Sequence, residues 1–396
     1  MAQIEVDYPR IRDVCALLIE SLRQHKFPYN VTKPPQEYVP AEIRADPLVH
    51  ALVLFGTCHF MRGTIQSDFA IRQMVKIWRT HPELFDPVFL STKQATKQYV
   101  FDRLKPFLMY RLFEIPKLWL GNFKRLERDW SGDPRRIFDG VTNADEMYRR
   151  VVNKNSSSKY RTMPGKLEGF VGFREKVASM LAYFLMDSKL IPEFPVSTPV
   201  DFHNLRVFFA TEGMRYANGD GTKLRYETAA AVAVPLVERL VKEQGYSMVE
   251  LGDALWLQSV GACRYAPGNK TLGRLKSGQK NEGRHRLEYK PQARQELNVQ
   301  FYTPDWQDPT DVHKHELTCG RCQLRGLCTM NVASGFYYED GNIMMRARTE
   351  PMSNLFGELH YHAPEERESP PQPEQEKIAL PLLPGEWPEQ KKTPRA

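Results

Sequence analysis

Apolar residues three and four positions apart recur through residues 1 to 350, and they predict helices. "HALVLFGTCHF", "FAIRQMVKIW", "ATKQYVFDRLKPFLMYRLF" and "EKVASMLAYFLM" carry the pattern, and "TAAAVAVPLVERLV" and "MVELGDALWLQSV" continue it. Strand-like alternation is scarce, and "NLRVFFA" fits either period. Pro, Gly and Ser cluster at "HPELFDP", "SGDPRR", "KNSSSKYRTMPGK" and "MDSKLIPEFPVSTP", which predicts breaks between helices there. The fold class expected is all-α.

Two segments depart from this texture. Residues 264 to 294 hold nine Lys or Arg against two Glu, with many glycines and few apolar anchors. This is either a solvated loop or a phosphate-contacting arm, with Arg284, Arg286 and Lys290 as the candidate contacts. The tail, 351–396, becomes too rich in proline and charge to build a core.

Composition adds less. Apolar residues make up 41% and charged residues 26%, and no run of 18 apolar residues could span a membrane. The start, "MAQIEVDYPRIRDVC", lacks the basic-then-apolar layout of a secretory signal, so a cytoplasmic location is expected. In such a reducing compartment clustered cysteines bind metal more often than they form disulfides. The net charge of +7 favours a polyanionic partner without naming one.

The cysteines are unevenly spread. Of six in 396 residues, Cys319, Cys322 and Cys328 fall in "ELTCGRCQLRGLC". Cys15 and Cys58 lie on apolar helical stretches, where a buried thiol is the default. Cys263 ends "DALWLQSVGAC", just beyond an apolar helix, and is the candidate fourth ligand. Four thiolates suit a [4Fe-4S] cluster or zinc, and spacing alone does not choose between them.

"ALWLQSVGAC" followed by "TCGRCQLRGLC" resembles the C-terminal iron–sulfur module of endonuclease III and adenine-DNA glycosylase, members of the helix-hairpin-helix DNA glycosylase superfamily. The last three cysteines match that family's C-x2-C-x5-C spacing. The first departs from it, because 55 residues separate Cys263 from Cys319 where the family has six. A second likeness lies upstream, in "LEGFVGFREKVASMLAYFLMDSKLIPEFPVSTPVDFHNLRVFF". Gly169 and Gly172 resemble the hairpin glycines whose amides approach a DNA phosphate. Lys176-Val177-Ala178 is similar to the opening of the following helix. Val200, Asp201, His203 and Arg206 fall on the "VDxHxxR" element, in which the family's aspartate is catalytic.

The resemblance implies a two-domain glycosylase-like fold: helices over 1–44, a helical barrel with the hairpin and catalytic segment over 45–209, and a cluster domain over 210–350 interrupted by an insertion at 264–318. It also implies a monomer acting on DNA, excising a damaged or modified base. The chemistry is consistent with the residues. Breaking an N-glycosidic bond builds positive charge on the sugar, and a nearby carboxylate stabilises that charge or deprotonates water. Asp201 is equally suited to capping the helix that follows it. Bifunctional relatives use a lysine at the next helix start as an imine-forming nucleophile. Here Lys176 stands four residues after Gly172 where the family has two, and aligning on the glycines puts Arg174 in its place. Hydrolysis without strand cleavage is therefore expected, with a glycosylase/lyase as the alternative. A non-catalytic DNA-binding protein, a hydrolase of free modified nucleosides and a RecB-like nuclease are the other classes considered.

Overall fold

The computed structural model describes residues 4–61, 67–107, 113–156, 161–216, 224–268, 307–329, 332–339 and 342–347. Two helices form its centre. The first, Pro47–Phe60, begins where Asp46 caps the amides of Leu48 and Val49 with a proline at the first helical position, and every residue from His50 to Phe60 is buried. The second, Glu175–Asp187, buries Val177 through Met186 and packs against the first. Helices apolar all round belong inside a fold, and amphipathic ones surround them. The surrounding set includes Tyr8–Arg23, Ser67–Thr80, Glu114–Trp130, Tyr226–Gln244 and Met248–Leu257.

An aromatic core joins the central helices to the hairpin. Phe55 meets Phe123, Phe170 and Phe173 at centroid distances of 5.3, 5.1 and 5.6 Å. Gly56 makes this packing possible, since a Cβ there would lie 2.7 Å from the Trp119 ring. "NLRVFFA" resolves as helix, within Phe202–Ala210.

The all-α expectation holds as a mostly helical fold, with two small antiparallel sheets among the described residues. Ile4–Val6 pairs with Met214–Tyr216 and ties the chain start to the end of the Phe202–Ala210 helix. Asn342–Ala347 lies between Leu224–Arg225 and Val332–Glu339. The first pairing joins segments some 200 residues apart, so no local period announces it. The second had a signal: "FYYEDGNIMM" places Asp-Gly between residues that favour strands, which is hairpin chemistry.

Nearly all of the basic segment, including Arg284, Arg286 and Lys290, and the tail at 351–396 lie outside the described residues. Among the described residues no helix is long and apolar enough to cross a membrane.

Candidate active site

Asp201 lines a cleft where the chain turns from "FPVSTPV" into helix. Tyr226 fixes the approach by donating its hydroxyl to the Val200 carbonyl at 2.7 Å. Asp201 then caps the helix: its Oδ1 accepts from the amides of His203 (2.7 Å) and Asn204 (3.4 Å). The Asn204 side chain returns the contact, accepting the Asp201 amide at 3.0 Å, so a reciprocal capping box holds the aspartate in one pose. Both capping bonds end on Oδ1, and Oδ2 has no partner among the described residues. Capping therefore occupies only one of the two carboxylate oxygens.

The cleft is shallow and mostly apolar, with a cavity volume of about 30 Å³ and with Met180, Phe184, Pro199 and Trp256 in its walls beside Asp201 and Thr198. Tyr183 also lines it, and the ring's far end enters a buried polar network. Its hydroxyl donates to Asp253 and accepts from Gln36 Nε2 at 3.0 Å, and the same Gln36 nitrogen reaches Asp187 at 2.6 Å. Burial, reinforced by the neighbouring Asp187, pushes the Asp253 carboxyl up to about 8.

His203 and Arg206 belong to the scaffold beneath Asp201. Ser259, in the π-helical turn Gln258–Ala262, meets both, its Oγ lying 3.2 Å from His203 Nδ1 and 3.2 Å from Arg206 Nη1. Arg206 is 3% exposed and lies over the Phe202 ring at 4.6 Å. Burial holds the His203 imidazole down to about 4, against the opposing pull of Asp201 and with help from Arg206, Arg264 and Lys176. Lys176 thus acts on His203 as a cation, the weakest of the charges that do. It is the second residue of the Glu175–Asp187 helix and is half-buried.

The turn that precedes the Glu175–Asp187 helix takes its shape from two glycines. Gly169 and Gly172 have φ values of 65° and 86°. A Cβ on Gly169 would stand 2.1 Å from the Val152 carbonyl oxygen, because Phe170 bridges to Val152 there. Buried Asn122 clamps the tip, accepting the Val171 amide at 2.8 Å and donating to the Val171 carbonyl at 2.9 Å. Arg125 donates to the Gly169 carbonyl at 2.6 Å. The next helix starts after exposed Arg174 with no side-chain cap, which leaves its first amides for another acceptor.

The four cysteines require a correction. Cys263, Cys319, Cys322 and Cys328 line one small cavity of about 30 Å³ with Gln258 and Leu324. Among the described residues, however, no group of three or more His, Cys, Asp or Glu is placed to hold a metal ion. The expected [4Fe-4S] cluster, its zinc alternative and the iron–sulfur module of the fold are not upheld. Burial instead favours neutral thiols: it raises Cys263 and Cys319 and pushes Cys322 up to about 12. The Gln258 amide donates to Cys322 Sγ at 3.0 Å.

Sequence reasoning missed the cleft walls, which come from distant parts of the chain. Only Asn204, three residues after an N-cap aspartate, and Gly252, a glycine inside an apolar helix, carried a signal in advance. Compared with known proteins, the chain matches no family model and no curated protein.

Proposed function

We propose that the protein is a DNA N-glycosylase that releases a base by hydrolysis, with Asp201 as the catalytic carboxylate. The observation that carries the reading is the placement of Asp201: its Oδ1 is spent on the capping amides, its Oδ2 has no partner among the described residues, and the residue lines a largely apolar cleft. A nucleotide drawn out of a duplex needs such a cleft for its base and a carboxylate at its sugar. Stabilising positive charge as the base departs is a transition-state interaction, and it accelerates the step because the ground state lacks that charge. Held by two amides, the carboxylate has little reorganisation to undergo.

The hairpin supports the same reading. Positive-φ glycines and an uncapped helix start offer backbone amides to a phosphate, with Arg174 exposed beside them. A glycosylase/lyase is the second reading, favoured by Lys176 lying within reach of His203 as a cation. One experiment separates the two. Duplexes bearing single modified bases are incubated with the protein, and free bases and strand products are resolved by mass spectrometry, with and without borohydride. Free base with an intact abasic strand and no adduct is expected. A borohydride-trapped adduct lost in Lys176→Ala would establish the lyase, and no base released from any duplex would overturn the glycosylase reading.

A further inference from the structure

Phe113 is the most exposed large hydrophobic side chain among the described residues, at 74%. One face of its ring is covered by Phe101, which stacks on it at a centroid distance of 5.5 Å with 7° between the planes. Neither ring belongs to the hydrophobic core. Two phenyl groups are thus held against each other outside the core, and the outer one keeps its second face to water. Single exposed apolar side chains need no explanation, but a near-parallel pair presents a flat platform.

Cations frame this platform. Phe101 lies on the Lys97–Leu104 helix, with Lys97 four residues before it and Lys105 four after, so the three share one face. The helical rise sets each lysine about 6 Å from Phe101 along the axis. Lys105 Nζ stands 5.8 Å from the centre of the Phe101 ring. Phe113 immediately precedes the Glu114–Trp130 helix, and Lys117 follows it by one turn. All three lysines are exposed, and none is in an ion pair among the described residues. Arg103, by contrast, is tied to Glu83 at 2.9 Å. The acids on these stretches are Asp102, which accepts from the Gln98 amide, and Glu114.

We propose that Phe113, backed by Phe101, is a stacking platform for an unpaired base of a single nucleic-acid strand, with Lys97, Lys105 and Lys117 on the flanking phosphates. Every base has a flat π-face and a phosphate on either side, so an aromatic surface between cations suits a nucleotide of any sequence. An apolar protein partner would cover the rings but leave the lysines without opposing charge. The platform does not depend on Asp201. Strand binding is measured without base release, so either reading can fail alone.

The full chain is titrated into a fluorescein-labelled oligothymidylate and binding is followed by anisotropy. Phe113→Ala is expected to weaken binding by about fivefold or more, while Phe113→Trp binds at least as well as wild type. The melting temperature of Phe113→Ala should match wild type, because the ring lies outside the core. On an oligomer of tetrahydrofuran abasic units, which keeps the phosphates and lacks the bases, Phe113→Ala and wild type should bind alike. Replacing Lys97, Lys105 and Lys117 together with glutamine should weaken binding to both oligomers and flatten its salt dependence. Oligothymidylate binding by Phe113→Ala within twofold of wild type would overturn the proposal, as would an equal loss on the abasic oligomer or no binding by wild type. A wild-type dimer in sedimentation that Phe113→Ala dissociates would also overturn it, and would give the platform to a second copy of this chain.

Discussion

Asp253→Asn perturbs the network behind the cleft, and its effect has a calculable sign and size. Asp253 accepts the Tyr183 hydroxyl and has Asp187 nearby, with Glu37 and Glu250 adding to the acidic surroundings; Lys189 is a cation acting on Asp187. The folded carboxyl titrates at about 8 where an ordinary aspartate titrates at 3.8. Between those values the unfolded chain releases a proton that the folded chain keeps. Stability therefore falls as pH rises from about 4 and levels off above about 8. Each pH unit in this window removes about 1.4 kcal/mol, so pH 5 to 7 removes on the order of 2–3 kcal/mol. Asparagine is neutral throughout and can still accept the tyrosine hydroxyl. The variant should lack this component and be the more stable protein at pH 8. Urea unfolding at pH 5, 6, 7 and 8 reads the difference as a midpoint gap that widens by about 1 M over the window. Parallel pH profiles for the two proteins, with the variant uniformly less stable, would refute the reasoning and show Asp253 ionised inside the fold.

Two further outcomes test the scaffold. With the His203 imidazole held down to about 4, its ring resonances should keep neutral positions down to about pH 5 in an NMR titration, and a midpoint near 6.5 would contradict its burial against Ser259. Gly169→Ala and Gly245→Ala both force alanine into a left-handed conformation, at φ 65° and 64°. Nothing lies within 4 Å of a Cβ at Gly245, whereas at Gly169 it would meet the Val152 carbonyl. Thermal unfolding should show a loss of about 1–2 kcal/mol for the left-handed strain alone at Gly245 and clearly more at Gly169; equal losses would deny the close approach of Gly169 to Val152.

The sequence was most informative where physical requirements are local. Helical periods marked the central Pro47–Phe60 and Glu175–Asp187 helices because full burial demands uninterrupted apolar residues. Asp201 could be placed at a helix entry from the proline-rich approach and the apolar run behind it. The cleft it lines could not, because Tyr183 and Trp256 reach it from other helices. His203 and Arg206 were legible as a pair on one face, but Ser259, some 55 residues later, decides that the face points inward. The cysteine spacing implied a ligand set and the structure does not place one. Spacing constrains the order of thiols along a chain, while ligation depends on how four side chains are aimed.

The most direct test of the central claim is base release by Asp201→Asn. Asparagine retains a carbonyl oxygen for the amides of His203 and Asn204, so folding and affinity for an abasic-analogue duplex should stay close to wild type. The negative charge at the cleft is lost. On the duplex that wild type processes, free base measured by mass spectrometry should fall by at least about a hundredfold. Release by Asp201→Asn at a rate near wild type would contradict the account.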